Sequence, residues 1–551
     1  MNNKKDKLIQ KLVSVAEMKE IEHEADQIGL SYAQMMENAG TNLAQLVEEL
    51  YGSHKSSGIL GLVGSGNNGG DTLVALAWLV QQGWKACAYL VRFRPASDPH
   101  LVQFIQSGGT VLKQDDDPDL SQINEALTNH AFLLDGILGT GFHLPINETL
   151  ETFLTQINST IQHLKPNLTV IAVDCPSGVD CDTGQVALQT IAADLTVTMA
   201  AFKQGLLKLP AFQYCGALKM EGIKLPDGGE GLSTWNSINR FVPATWQIKQ
   251  WLPQRPLDAH KGTFGTALIC AGSLNFTGAA LLAGEAAYRI GAGLVTMAIP
   301  GSIHCSLAGQ LPEATWLLLA EEMGSIHSDA AQIFREYISR SSAVLLGPGF
   351  GLEQTTRDFM ARIFKQERSR SHMDMGFIQA DKPSSHDRLA FPTTVIDADG
   401  LKLLAQIDNW HLNIPTLSIL TPHPGEMSVL TGIPKETIQQ DRVQTAQHFS
   451  KKWGHIVVLK GAFTVITSPT GEAAVIPVAS PALARAGTGD VLAGLITGLC
   501  AQGVPGFQAA VCGAWIHAQA GLSAVELVGN PASVLARDIL KAAICILNEF
   551  N

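Results

Sequence analysis

Several features that would narrow the function are absent from this sequence. Its nine cysteines include no CxxC pair, and their apolar surroundings favour buried, reduced thiols in a cytoplasmic protein. A net charge of −12 argues against a nucleic-acid partner. Residues 1–7 are charged but lack the apolar core and cleavage site of a signal peptide, so we expect no leader segment.

One region resembles a membrane span, because no charged side chain stands between residues 491 and 525. Gly503, Pro505 and Gly506 break this region into two pieces, and each piece is predicted to be too short to cross a bilayer. We therefore expect two buried helices joined by a turn, and no membrane partner.

The chain is longer than a single core usually supports, and its 551 residues predict two domains. The loop composition of residues 226–231 marks the junction, so we assign residues 1–228 to the first domain and 229–551 to the second. In both halves, short apolar runs alternate with helix-length segments. This pattern predicts an α/β fold in which each domain is built on a parallel sheet.

Three polar clusters follow predicted strands in the first half, at residues 66–71, 135–141 and 174–180. Each cluster alone is also typical of a turn, because Asn, Asp, Ser and Gly dominate turns. Their position after consecutive core strands favours a shared site, since ligands bind at the carboxyl ends of parallel strands. Oxygen-rich groups at one sheet edge suit a hard cation and a polar ligand.

Together these clusters resemble the NAD(P)H-hydrate epimerase domain over roughly residues 10–225. The resemblance implies a Rossmann-like domain that interconverts the R and S forms of hydrated NAD(P)H, with Asp174 as the acid/base. It also implies a potassium ion held near Asn68, Asp135 and Ser177. The implied substrate contacts are Asn67, Asn68, Gly69, Gly70, Asp71, Gly139, Thr140, Gly141, Phe142, His143, Leu144 and Pro145. Thr72 departs from the family pattern, which usually has a glycine there, and its side chain would narrow the pocket.

The second half contains a glycine-rich turn at residues 486–490 that leads into a long apolar run. Such a turn presents backbone N–H groups at the positive end of a helix, where anions bind. Asp490 stands beside that anion hole, which suits phosphoryl transfer with the carboxylate taking a hydroxyl proton. The alternative is a helix that is merely capped by Asp490.

Further polar groups follow other predicted strands of the second half, at residues 347–351, 397–400, 421–426 and 460–461. His423 stands between two prolines, which favours a ligand role over a place in the core. Lys460 is either a solvated lysine or a phosphate ligand. The polar insertion around residues 366–391 has no periodicity, and we expect it to be solvated.

The polar groups that follow these strands, together with the glycine-rich turn at residues 486–490, resemble the NAD(P)H-hydrate dehydratase domain over about residues 250–548. The resemblance implies a ribokinase-like fold that dehydrates the S hydrate with ADP or ATP and Mg²⁺. The implied hydrate contacts are Ala279, Gly349, His423, Pro424, Gly425, Glu426 and Asp490, of which Asp490 is catalytic. The implied nucleotide contacts are Lys460, Gly461, Ala462, Phe463, Thr464, Ala486, Gly487, Thr488 and Gly489. Ala280 departs from the family pattern, which usually has a proline there.

The two resemblances together predict a bifunctional metabolite-repair enzyme that acts on the hydrates NADHX and NADPHX, and we expect a homo-oligomer. Two other hypotheses stay open. The second half alone would also suit a vitamin or sugar kinase of ribokinase type, and the first half a binding module without catalysis. The sequence does not decide between ADP and ATP or between NADHX and NADPHX.

Overall fold

The computed structural model describes residues 9–364 and 391–550, which form two compact units divided between Val242 and Pro243. Most of the polar insertion around residues 366–391 lies outside the described residues. The sequence analysis assigned residues 229–242 to the second domain, but in the structure they belong to the first unit. The indole of Trp235 lies in the first unit's core, and the strand Arg240–Val242 pairs with Gln10–Val13.

The first unit combines strands and helices in alternation. Its strands are β1 (Gln10–Val13), β2 (Ile59–Val63), β3 (Ala86–Leu90), β4 (Thr110–Lys113), β5 (Phe132–Gly136), β6 (Thr169–Val173), β7 (Leu195–Met199), β8 (Phe202–Lys203), β9 (Ala217–Glu221) and β10 (Arg240–Val242). Its helices are α1 (Val15–Gln27), α2 (Tyr32–Tyr51), α3 (Asn67–Gln81), α4 (Pro99–Gln106), α5 (Ser121–Asn129), α6 (Glu148–Leu164), α7 (Phe212–Cys215) and α8 (Ser233–Ser237).

The main sheet of the first unit is parallel and has the order β4-β3-β2-β5-β6-β7-β9. Its central strands are apolar and buried on both faces, as expected when helices cover both sides of a sheet. The chain reverses its winding direction between β2 and β5, which is the Rossmann-like arrangement and the usual position of a ligand crevice. The predicted α/β fold is confirmed here.

The second unit also alternates strands with helices. Its strands are β11 (Thr266–Cys270), β12 (Leu294–Pro300), β13 (Thr315–Leu319), β14 (Glu321–Glu322), β15 (Ser325–Ile326), β16 (Ala343–Leu346), β17 (Thr393–Ile396), β18 (Ile419–Leu420), β19 (Ile456–Leu459), β20 (Val465–Thr467) and β21 (Ala473–Val475). Its helices are α9 (Thr245–Trp251), α10 (Thr277–Arg289), α11 (His304–Leu307), α12 (Ala330–Ile338), α13 (Gln354–Phe364), α14 (Asp399–Leu404), α15 (Trp410–Asn413), α16 (Pro424–Thr431), α17 (Lys435–Gln440), α18 (Arg442–Trp453), α19 (Thr488–Ala501), α20 (Gly506–Val528) and α21 (Ala536–Asn548).

The sheet of the second unit runs in the order β13-β12-β11-β16-β17-β18-β19-β20-β21. Its strands are parallel from β13 to β19, and β20 and β21 are antiparallel. The four strands β16, β17, β18 and β19 are consecutive neighbours. Their carboxyl ends therefore bring the polar segments that follow each of them to one edge of the sheet.

The apolar region between residues 491 and 525 forms the two helices that were predicted, α19 and α20. One expectation was wrong, because α20 has 23 residues and is long and apolar enough to cross a membrane. The helix continues past Val525 for almost another turn and ends where Gly529 adopts φ +83°. Most of its residues are buried inside the unit, where it packs against α19 and α21.

Candidate active sites

Asp174 follows β6 directly and is held in an uncommon backbone conformation, with φ +64°. Its carboxylate oxygen Oδ1 accepts hydrogen bonds from the Thr198 hydroxyl at 3.0 Å and from the Met199 N–H at 2.9 Å. The same oxygen forms an ion pair with the ammonium of Lys203, which is buried. A non-glycine residue with positive φ persists only where its surroundings hold it, and such residues cluster at functional sites.

Asn68, Asp135 and Ser177 lie together at the carboxyl ends of β2, β5 and β6. The Ser177 hydroxyl and N–H donate to Asp135 at 2.5 and 2.8 Å, and the Asn68 amide donates to the Val173 carbonyl at 2.5 Å. Burial raises the pKa of Asp135 to about 6, although the bonds from Ser177 oppose the rise. The three predicted cation ligands are thus brought together. The hydrogen bond to Val173 uses the NH₂ group of the Asn68 side chain and does not involve its Oδ1 oxygen.

Asp71 lies on the first turns of α3 and is almost fully buried. Burial raises its pKa well above the ordinary value for an aspartate, and the charges of Asp174 and Glu22 add to the rise. The sequence analysis expected the Thr72 side chain to narrow the pocket, but it does not. Its hydroxyl donates to the Asn68 carbonyl at 2.7 Å, and it packs against Gly136 of β5.

The predicted substrate segment at residues 139–145 forms a turn, in which the Phe142 N–H donates to the Gly139 carbonyl at 3.0 Å. His143 binds Asp180 through Nδ1 at 2.9 Å, and its side chain is mostly exposed. Burial opposes ionisation of Asp180, but hydrogen bonds to its carboxylate, including that from His143, lower its pKa. Thus the segment is tied to the loop that follows Asp174.

Lys203 was missed by the sequence analysis, although it is the cation that contacts the predicted acid/base Asp174. Its side chain is 1% exposed, and its Nζ also donates to the Met199 carbonyl at 2.8 Å. The available signal was a single lysine within the apolar stretch of residues 195–207. Lysine is almost never fully buried unless it is paired, so that pattern indicates a partner.

Asp490 lies in the first turn of α19, and the residue before the helix is Gly487 with φ +89°. Within the described part of the chain, no side chain caps this helix, so Asp490 is not its cap. The backbone N–H groups of Gly489 and Asp490 donate to no other residue that the structure describes. The Thr488 hydroxyl donates to the carbonyls of Leu483 and Arg485, which fixes the turn and leaves those N–H groups available.

Lys460 connects this helix terminus to two buried carboxylates. Its Nζ lies 2.6 Å from Asp397 Oδ1 and 3.8 Å from Glu426 Oε2, and it faces Gly489. Burial disfavours the ammonium, but the charges of Asp397 and Glu426 raise the pKa of Lys460 overall. Burial raises the pKa of Asp490 to about 7, with a further rise from Asp397 that Lys460 opposes. Lys460 is therefore a cation fixed by buried carboxylates and not a solvated lysine.

His423 precedes α16, with Pro424 at the first helical position. Its Nδ1 accepts from the Gly425 N–H at 2.9 Å, and Glu426 Oε2 accepts from the His423 N–H at 2.9 Å. Burial lowers the pKa of His423 against the opposing charge of Glu426, and an accepting Nδ1 fits the neutral ring. The imidazole is half exposed and lies at the same edge as Lys460.

Gly349 and Ala279, both predicted hydrate contacts, lie side by side. Gly349 adopts φ +64°, and a Cβ there would lie 2.9 Å from that of Ala279. The Gly351 N–H donates to Asp399 at 3.0 Å, which ties this turn to the loop that carries Asp397. The hydrate segments therefore lie at neighbouring strand ends, and their binding roles stay predictions.

The segment at residues 460–464 makes a tight turn, with φ +143° at Gly461 and +53° at Phe463. The Thr464 hydroxyl donates to the Gly461 carbonyl at 2.9 Å. Arg442, which sequence reasoning missed, is partly buried and donates to the carbonyls of Leu459 and Lys460 at 2.8 and 3.1 Å. Burial lowers its pKa to about 10, so it keeps its charge near neutral pH.

Asp397 was noted in the sequence only as a strand-end residue, and no role was predicted for it. Its Oδ1 binds Lys460 and accepts from the Thr421 hydroxyl at 2.7 Å, while its Oδ2 is buried and has no hydrogen-bond partner among the residues that the structure describes. A buried carboxylate oxygen without a donor is costly, and such atoms often mark the position of a ligand or an ion.

Family models match both halves of the chain. Residues 267–544 match the model described as NAD(P)H-hydrate dehydratase, and residues 32–205 match the model of the YjeF-related protein N-terminus.

Relatives with assigned names match almost the whole length. The chain is 32% identical over 536 residues to the bifunctional NAD(P)H-hydrate repair enzyme of Moorella thermoacetica, covering 96% of this chain and 95% of that one. It is also 32% identical to the enzyme of the same name from Salinibacter ruber, covering 94% and 92%. Among solved structures, an ADP/ATP-dependent NAD(P)H-hydrate dehydratase from Bacillus subtilis, co-crystallised with ATP and Mg²⁺, is 26% identical. That match covers 55% of this chain and 96% of the other, with a TM-score of 0.44.

Proposed function

This chain belongs to the family of bifunctional NAD(P)H-hydrate repair enzymes, and from that premise we propose how its two units divide the work. The first unit interconverts the R and S hydrates at Asp174. The second, ribokinase-like unit dehydrates the S hydrate at Asp490 and consumes ADP or ATP. Both epimers of the damaged cofactor are thereby returned to NADH or NADPH.

The dehydration proposal depends mainly on one observation. Asp490 lies beside Lys460 at the start of α19, where the N–H groups of Gly489 and Asp490 have no acceptor among the described residues. Asp490 takes the proton of the hydrate's hydroxyl as the oxygen attacks the terminal phosphorus of the nucleotide. The new P–O bond forms as the bond to the departing nucleotide breaks. Lys460 and the N–H groups stabilise charge on the phosphoryl oxygens.

The phosphorylated hydrate then loses phosphate. Hydroxide is a poor leaving group, but phosphate departs readily with the electron pair of the C–O bond. A proton leaves the neighbouring ring carbon, and the double bond of the reduced nicotinamide is restored. A stable phosphorylated product, instead of NADH, would identify the second unit as an ordinary kinase.

Mg²⁺ suits this site when a nucleotide is bound, because it prefers phosphate oxygens, waters and one or two carboxylates. Asp397 offers a buried Oδ2 without a partner, and Glu426 offers a second buried carboxylate nearby. We propose that these two side chains hold the ion together with the phosphates. Its chemistry there would be to neutralise charge on the phosphates.

In the first unit, we propose that Asp174 exchanges a proton with the hydrate through its Oδ2 oxygen. The hydroxyl proton passes to Oδ2 as the bond between the hydroxyl-bearing carbon and the ring nitrogen breaks, which leaves a carbonyl and an electron pair on that nitrogen. The nitrogen then attacks the other face of the carbonyl, the C–N bond re-forms with the opposite configuration, and Oδ2 returns the proton to the oxygen. The reaction needs no co-reactant, because substrate and product are isomers. Incubation of the protein with racemic hydrate and each nucleotide, followed by chromatography of both epimers and by NADH absorbance, tests both halves of the proposal.

Potassium fits the group formed by Asn68, Asp135 and Ser177. Asp135 is a fully buried carboxylate whose pKa is raised by burial, and its hydrogen-bond donors are neutral groups of Ser177. Asn68 contributes an amide oxygen, so the donor set consists of oxygens, as a hard cation prefers. The ion would supply a positive charge beside this buried carboxylate, whose hydrogen-bond donors are neutral.

Removal of potassium should slow epimerisation and spare dehydration. We expect exhaustive exchange into a tetramethylammonium buffer to reduce interconversion of the R and S hydrates several-fold, because a large cation does not fit the buried oxygens. The rate is measured by chromatography of the two epimers, and dehydration of pure S hydrate is the internal control. Interconversion that continues at the original rate after exchange would argue against a potassium site.

Dehydration should fall as the pH drops below about 7, where burial places the pKa of Asp490. A base must be unprotonated to accept the hydroxyl proton, so the rate should decrease by about tenfold per pH unit on the acidic side. The measurement is kcat for S hydrate against pH at saturating nucleotide. A rate that stays constant from well below to well above neutral pH would contradict the assignment of Asp490 as the base.

We further propose that the protein works in the cytoplasm as a homo-oligomer. All nine cysteines are unpaired and most are buried, which suits a reducing compartment. Light scattering of the purified protein determines the oligomeric state.

A further inference from the structure

Lys203 is a buried cation of the epimerase site, with a side chain that is 1% exposed, and the proposed mechanism gives it no role. Its ammonium binds Asp174 and also donates to the Met199 carbonyl at 2.8 Å and the Thr198 hydroxyl at 3.2 Å. The three N–H groups of the ammonium are therefore all used in hydrogen bonds within the protein, and none points to a substrate. This geometry excludes a direct contact with the hydrate and indicates a role through Asp174.

The hydrogen bonds to Asp174 are divided unequally between its two oxygens. Lys203, the Thr198 hydroxyl and the Met199 N–H all converge on Oδ1. Across residues 9–364 and 391–550, no group donates to Oδ2. The carboxylate is consequently fixed at one oxygen, and the other is the one that can exchange a proton.

Other ionisable groups face this pair from the surrounding elements. Glu22 on α1 and Asp71 on α3 both interact with the charges of Asp174 and Lys203, and the Cys175 thiol adjoins Asp174. Burial raises the pKa of Glu22, and it raises that of Asp71 well above the ordinary range. Lys203 is the cation shared by all three carboxyl groups.

We infer that Lys203 is a positioning residue for epimerisation, which binds Oδ1 of Asp174 so that Oδ2 is presented to the hydrate as an ionised oxygen. The inference rests on the proposed epimerase function of the first unit. It assigns to Lys203 an effect on the protonation of the site, which a merely structural lysine would not have.

The test compares Lys203→Met with the wild-type chain across a range of pH. The methionine keeps the length of the side chain and removes its charge, so the ionised carboxylate loses its partner. An opposite charge at contact distance shifts such an equilibrium by about 1–3 pH units. We expect the acidic limb of the epimerisation profile to move up by that amount, so that the rate at a fixed pH on that limb falls by about 10–10³-fold.

Lys165→Met is the matched control, because Lys165 pairs with Asp194 at 2.9 Å in the same unit and both side chains are partly exposed. Its pH profile should coincide with that of the wild type. Dehydration of pure S hydrate, measured in the same samples, should be unchanged in every variant. Wild-type protein that fails to interconvert the epimers would disprove the proposed function, whereas an active wild type with an unshifted Lys203→Met profile would disprove the inference alone.

Lys203→Arg keeps the test decisive if the methionine variant does not fold. Arginine retains the charge but has a different reach, so a positioning role predicts a lower kcat with the acidic limb in its original place. An arginine variant whose acidic limb moves up, although the charge beside Oδ1 is retained, would overturn the inference. Thermal unfolding of each variant shows which comparison applies.

Discussion

Asp490→Asn should lower the rate of S-hydrate dehydration by about 10²–10⁴-fold, which is the usual contribution of a positioned proton acceptor. Asparagine has nearly the same shape but cannot accept the hydroxyl proton. Nucleotide affinity should change little, because the N–H groups of Gly489 and residue 490 and the ammonium of Lys460 remain. Loss of one negative charge beside the phosphates would if anything strengthen binding.

A nucleotide titration and thermal unfolding should accompany the rate measurement. Asp538→Asn is the matched control, since Asp538 also lies in the first turn of a helix, where it accepts from the Leu535 N–H at 2.9 Å. That variant should dehydrate the hydrate at the wild-type rate. If the folded, nucleotide-binding Asp490→Asn protein kept near-wild-type dehydration, the proposed mechanism of the second unit would be wrong.

Asp174→Asn should reduce consumption of the R hydrate to its spontaneous rate and leave dehydration of the S hydrate intact. The amide oxygen can still accept hydrogen bonds at the Oδ1 position, but neither side-chain atom can take up and return a proton. Asp174 and Asp490 belong to different compact units, so we expect the two activities to separate completely. In racemic hydrate plus nucleotide, the S form should disappear and the R form should remain as the unrepaired fraction.

The appropriate comparison is Asp194→Asn, which makes the same chemical change in the same unit at a residue also paired with a lysine. Asp194 is partly exposed, so its loss should affect neither epimer. Chromatography of the two epimers over time gives both rates from one sample, and S dehydration reports that the chain is folded. R turnover that persists at the wild-type rate in Asp174→Asn would exclude Asp174 as the acid/base.

The strands and the main polar clusters could be predicted because the local pattern is strong. Apolar runs buried on both faces end in Asn, Asp, Ser and Gly, and the parallel arrangement then brings those ends together. Asp135 and Ser177 are 42 residues apart in sequence yet share two hydrogen bonds. The rule that carboxyl ends share an edge was enough to place them near each other.

The features that were missed depend on tertiary contacts that leave a weaker local signal. The boundary at 228/229 followed loop composition, whereas Trp235 and β10 belong to the first unit through pairing with β1 near the start of the chain. Lys203 stands in an apolar stretch and Asp397 directly follows an apolar strand, and their importance comes from partners 29 and 63 residues away. No periodicity or motif length specifies those pairs.

The anion hole proposed before α19 would be formed by main-chain groups, and this has a genetic consequence. No change of side chain at Gly489 or Asp490 deletes an N–H donor, apart from proline, so missense variants there would act mainly by bending the turn. Gly487 is the sensitive position, since it has φ +89° and a Cβ there would lie 2.7 Å from Leu282. We therefore expect natural variation in this loop to be limited by backbone conformation at Gly487 and by the proposed proton transfer at Asp490, which are two separate constraints within four residues.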